Sequence, residues 1–196
     1  MSRLVAIIML CAAVAHADTA AVSNEAEPDP SDQIIGVSLG VAVGGRVTPG
    51  GLRISGHYHY QLSDHDWFDG RATFIFGGNS PECFRDRMDD VVCDHGLADG
   101  QAGELSANIR RFFGSGQYMP FVRAGLGVML VRFGPDDVTG IAFPLHAGVG
   151  LRVLLTPAIA LNAEAELEVG VGAFNRGLGA EPQVGSSIAA GAEFRL

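Results

Sequence analysis

Three groups of side chains in this sequence are of types that do chemistry. His57 and His59 lie two residues apart. On an extended segment both imidazoles share a face, as two ligands of one metal ion would need. No third or fourth ligand is identifiable, so the spacing favours two histidines hydrogen-bonded to carboxylates. Glu164, Glu166 and Glu168 form a carboxylate ladder with the same period. Paired carboxylates perform acid–base work where a cleft admits substrate. Without a cleft they repel one another unless cations intervene, and Arg152 and Arg195 are candidate partners on neighbouring segments. The third group is Gly77–Gly100, which carries Cys83, Cys93 and His95 among Glu82, Asp86, Asp89, Asp90, Asp94 and Asp99. Its acids match no calcium-loop spacing, and two cysteines with one histidine fall short of a zinc set.

The chain that must position these groups has 196 residues and a formal net charge of −9. Residues 1–17 place Arg3 before an apolar run that ends in Ala15-His16-Ala17, the pattern of a cleaved secretory signal peptide. Met9 and Leu10 are too large to precede a lipidated cysteine, so Cys11 leaves with the signal. Removing Arg3 takes the charge from −9 to −10, which argues against a nucleic-acid partner. All 13 basic residues are arginine, a codon-usage trait of GC-rich bacteria rather than chemistry. Export places the two remaining cysteines in an oxidising compartment, and a Cys83–Cys93 disulfide is predicted. Residues 18–32 are acidic, contain two prolines and lack periodicity, so they read as a disordered lead-in.

From residue 33 onward the chain alternates with period two, the signature of β-strands. Eight such segments are predicted, over about 33–45, 51–62, 67–77, 101–113, 118–133, 141–155, 158–171 and 187–196. Each is long enough to cross a bilayer as a tilted strand. The connections alternate between short turns and generally longer loops, the longer ones at Gly77–Gly100, Gly134–Gly140 and Gly172–Gly185. That is the rim asymmetry of a transmembrane barrel.

Alternation does not say which face is inside, because a soluble barrel alternates too. Three observations favour apolar residues outside. The polar face is crowded with Gly, Ala and Ser, which suit a cramped lumen. Both charge signs share that face and can neutralise each other there: Arg53, Arg71, Arg110, Arg123, Arg152 and Arg195 against Asp69, Glu104, Glu164, Glu166, Glu168 and Glu193. Aromatics gather at strand ends as two interfacial belts, with Tyr58, Tyr60, Phe68, Phe113, Tyr118 and Phe194 in one, and Phe74, Phe76, Phe143 and Phe133 in the other.

The segments 120–128 (PFVRAGLGV), 143–157 (FPLHAGVGLRVLLTP) and 159–167 (IALNAEAEL) resemble small bacterial outer-membrane β-barrel proteins of the outer membrane protein A and X types. The resemblance covers residues 33–196 and implies an all-β, eight-stranded antiparallel up-and-down transmembrane barrel. It implies membrane lipid as the surrounding partner, with the C-terminal strand read by the barrel-insertion machinery. The final residue is Leu196 where these proteins prefer Phe, so that signal leans on Phe194. Lipid A deacylases of similar shape use a His-x-Ser pair with a distant Glu. Here Ala147 and Gly148 follow His146, so the nucleophile is missing. The expectation is a non-enzymatic scaffold in the outer membrane without metal or cofactor. Loop 77–100 is where an extracellular partner would bind, and the lumenal charges serve as a structural network. The alternatives are a narrow passive, porin-like channel and a soluble lipocalin-like binder of a small ligand.

Overall fold

The computed structural model describes residues 32–196, so the predicted signal peptide and the lead-in up to residue 31 lie outside the described residues. Ten strands follow one another: β1 (Gln33–Val43), β2 (Gly51–Gln61), β3 (Asp66–Phe76), β4 (Cys83–Arg85), β5 (Val91–Cys93), β6 (Gln101–Phe112), β7 (Tyr118–Phe133), β8 (Val138–Thr156), β9 (Ile159–Phe174) and β10 (Gly179–Arg195). Eight of them close into one antiparallel barrel in the order β1-β10-β9-β8-β7-β6-β3-β2, and β2 returns to β1. Closure leaves no free sheet edge. β4 and β5 form a separate hairpin inside the long loop.

The apolar face of every barrel strand points outward. Leu126, Leu151 and Leu167 are 60%, 38% and 63% exposed, whereas Arg123, Arg152 and Glu166 are 2%, 8% and 5% exposed. Such a surface suits an apolar solvent rather than water, and it is the inverse of a soluble ligand-binding barrel. No helix among the described residues is long and apolar enough to cross a membrane; strands are the elements available for that task.

Three features depart from the sequence reading. The predicted loop 172–185 is mostly strand: β9 runs to Phe174, β10 starts at Gly179, and only four residues turn between them. Gly134–Gly140 likewise shrinks to a turn at 134–137. One long loop therefore remains, 77–100. The second departure is Phe133, which lies inside at 1% exposure and not in the outer belt. The third follows from the same parity. The inward face is apolar at both ends of the barrel. Ile75, Ala102, Met129, Val131, Phe133, Val138, Ala142 and Phe174 pack together at the loop rim with Val47. Ile34, Trp67, Phe112, Met119 and Phe121 pack at the rim that carries Gln33 and Arg195. The charged residues occupy the layer between these two plugs.

Candidate functional site

The middle layer of the lumen is the most polar place in the fold. β2 contributes Arg53, His57 and His59; β3 contributes Asp69 and Arg71; β6 contributes Glu104 and Arg110. From β7, β8, β9 and β10 come Arg123, His146 and Arg152, Glu164 and Glu166, and Glu193. Glu166 is a hub. It accepts from Arg53 Nη2 at 3.0 Å and Arg71 Nη1 at 3.4 Å, from Arg123 Nη2, and from His146 Nδ1 at 2.7 Å. Glu164 accepts from both Arg71 Nη1 and Nη2, and Asp69 lies at ion-pair distance from Arg71, Arg110 and Arg123. Glu193 accepts from Arg110 Nη1 at 2.8 Å and Asn162 Nδ2 at 2.7 Å, with Arg152 Nε at 2.8 Å. The guanidinium of Arg110 lies 4.4 Å above the Phe121 ring, so the charged layer rests directly on one apolar plug.

The partners differ from those the sequence suggested. Arg152 and Arg195 do not meet the β9 ladder. Its cations come from β2, β3, β6 and β7, all reaching across the lumen. An eight-strand lumen is narrow enough for an arginine to span it. The strands flanking β9 offer mainly small residues, such as Gly148, Gly150 and Ser187, that leave the passage clear. Arg195 is not lumenal: its side chain is half exposed and pairs with Asp32 at the rim. As the last residue of β10 it sits at the rim, outside the charged layer. His57 bonds Ser38 Oγ at 2.8 Å instead of a carboxylate. His57 Nδ1 and His59 Nε2 both stand 3.8 Å from Asp69 Oδ1, beyond hydrogen-bond reach. Glu104 and Glu168 have no arginine partner among the described residues, and Glu104 instead faces His146.

The long loop forms the second polar assembly. Cys83 and Cys93 sit opposite each other on β4 and β5 and are joined by a disulfide. The loop folds back over the barrel mouth. His95 N bonds Arg46 O at 3.0 Å, while Gly44 N and Gly50 N bond Leu97 O and Asp99 O, each at 2.9 Å. The His95 ring stacks on Phe133 at 3.8 Å and places Nε2 2.9 Å from Asp136 Oδ2. Asp136 also accepts the amides of Glu82 and Cys83. Nothing in the sequence singled out Asp136, an acid in a four-residue turn.

Burial alone would raise the Asp136 carboxyl. The Glu82 amide, the His95 imidazole and the Cys83 amide outweigh burial and hold it below its ordinary value. A depressed folded pKa means that its contribution is complete above the unfolded value, about 3.9, and fades as pH falls through the folded one. Limited proteolysis of loop 77–100 is therefore expected to stay slow from neutral pH down to about 4 and to accelerate below it. Asp136→Asn should show the fast cleavage already at neutral pH; equal rates for the two proteins would refute the clasp.

No protein-family model matches the chain, and no curated protein matches it. Among solved structures the chain is similar to Neisserial surface protein A (TM-score 0.62, 14% identity, 84% of this chain and 97% of that one). It is also similar to the N-terminal β-barrel domain of Pseudomonas aeruginosa OprF (0.51, 14%, 82% and 97%). A third is the outer membrane protein AlkL, solved in lipid bilayers (0.51, 12%, 90% and 95%). At these identities the likeness is one of fold: a closed eight-stranded barrel of the outer-membrane type.

Proposed function

We propose that this chain is an integral protein of the bacterial outer membrane, exported behind a cleaved signal peptide. It acts as a closed scaffold that displays its disulfide-closed loop to an extracellular partner. The observation that carries this reading is the filled lumen. Two apolar plugs enclose a charged layer whose arginines are engaged by carboxylates. A basin of about 550 Å³ opens at the rim near Arg195 and reaches Arg152 of the charged layer, but it is lined as well by Ile34, Trp67 and Met119 of the plug, and Arg152 is held by Glu193. A solute path would have to displace both plugs and break buried ion pairs, which are costly to separate. The lumenal charges then serve the barrel's integrity rather than transport or catalysis. The C-terminal strand, with Phe194 outward, suits recognition by the insertion machinery.

Recording from the purified protein in planar lipid bilayers tests the closed state. The expected result is a flat trace; reproducible conductance steps would favour the narrow channel. Protease or label applied to whole cells should reach the Cys83–Cys93 segment. Protection there, with the protein intact in the membrane, would refute surface display.

A further inference from the structure

The lumenal charges are shared unevenly. Five arginines, Arg53, Arg71, Arg110, Arg123 and Arg152, face six carboxylates. Asp69, Glu164, Glu166 and Glu193 each meet at least one guanidinium, whereas Glu104 and Glu168 meet none among the described residues. The surplus of negative charge thus lies where β6, β8 and β9 present Glu104, His146 and Glu168.

His146 is oriented for a specific task there. Its Nδ1 lies 2.7 Å from Glu166 Oε1, and the ring N–H donates to that carboxylate. This leaves Nε2 as the ring atom that faces Glu104 within the lumen. Nε2 lies 2.8 Å from Glu104 Oε1 but is not aligned with it, so it has no hydrogen-bond partner; Glu168 Oε1 is likewise buried and unpartnered. His146 and Glu104 are 4% and 6% exposed. One ligand atom from each of the three residues falls within 4.8 Å of the others. Gly127 borders the same point. A Cβ there would stand 2.6 Å from Glu104 Oε1 and 3.0 Å from His146 Nε2, so the glycine keeps the space open. A void of about 10 Å³, roughly the room of one water, lies on the far side of Glu168, against Arg53, Glu166 and Ser187 rather than against Glu104 or His146.

We propose that Glu104, His146 and Glu168 bind one first-row divalent cation, such as Zn²⁺, and that Glu166 orients the imidazole. Ligands about 2.1 Å from a tetrahedral metal stand about 3.4 Å apart, so the Nε2–Oε1 separation of 2.8 Å has to widen by about 0.6 Å when the ion enters. A carboxylate on the far ring nitrogen is the usual support of a metal-bound histidine. An imidazole beside carboxylates suits zinc and its neighbours better than calcium or magnesium. The His57–His59–Asp69 group is the weaker candidate, because Asp69 is already shared among Arg71, Arg110 and Arg123. The site does not depend on whether the barrel is a scaffold or a channel.

Equilibrium dialysis of the untagged folded barrel in detergent against micromolar Zn²⁺ tests this. Because the plugs enclose the lumen, the ion is also supplied during refolding. About one zinc per barrel is expected, undisturbed by equal Ca²⁺. Zinc affinity should fall at least about tenfold in His146→Gln and in Gly127→Ala, and stay unchanged in His57→Gln. X-ray absorption of the zinc-loaded wild-type protein, which needs no variant to fold, should show a single imidazole among oxygen ligands. A wild-type barrel that takes up no zinc under either protocol would show that a proton occupies the Nε2–Glu104 contact, and would overturn the site. So would two imidazoles in the spectrum, undiminished affinity in the folded His146 or Gly127 variant, or loss in the His57 variant.

Discussion

Replacing Glu166 with leucine is expected to destabilise the folded barrel by about 3–5 kcal/mol, the usual effect of removing one partner from a buried ion pair. The size follows from what the carboxylate holds. Arg53, Arg71, Arg123 and the His146 ring all donate to it. All four would remain in a layer flanked by apolar plugs, where the void beside Glu166 has room for about one water against four orphaned donors. Leucine is close to glutamate in size, so the expected loss is chiefly electrostatic rather than one of volume. Urea titration in detergent, read by the heat-modifiable gel shift, measures it. Glu168→Leu on the same strand and the same face is the control. Glu168 meets no guanidinium, so in metal-free protein its loss should leave the midpoint nearly unmoved. A Glu166→Leu midpoint equal to that of wild type would mean that the ion pairs hold nothing together. Adding Arg123→Met to Glu166→Leu should recover part of the loss, because it removes one of the orphaned cations.

The strand that carries Glu166 was legible from side-chain parity alone, and so was the inward direction of Arg53, Arg71, Arg110, Arg123 and Arg152, though not the rim position of Arg195. Which arginine meets which carboxylate was not. Parity ranks residues along a strand, whereas Arg53 and Glu166 meet across the lumen and share no strand pairing. Glycine misled the loop reading. Gly172 reads as the start of a loop, yet it continues the lumenal face of β9, and the Phe174 ring lies over it. Gly150 is similarly covered by Phe121. In this barrel a glycine at lumenal parity marks room for a large neighbour. The same face hid the plugs. Ile34, Trp67, Phe121, Met129 and Phe133 all lie at lumenal parity, but an apolar residue near a strand end also reads as membrane belt. Exposure separates the two cases only once the barrel is closed.

The outward face gives the opposite prediction to the lumen. Leu126 lies at the middle of β7, beside Ala107 of β6 and Leu145 of β8, and points away from the barrel. If fatty acyl chains surround it, Leu126→Arg places a guanidinium at the bilayer midplane at a cost of about 2–4 kcal/mol. The same change at Phe76, the last residue of β3 and close to the loop rim, should cost at most about 1 kcal/mol, because the charge can reach the interface there. Folding into liposomes, followed by urea titration, measures both. The dependence on depth is the discriminating quantity. In water an exposed arginine is nearly neutral at either position, so a water-exposed barrel would show two small and similar effects. A large loss at Leu126 beside a small one at Phe76 requires an apolar slab centred on the strands. Equal and small losses would remove the membrane, and with it the reason for confining the arginines and glutamates to the interior.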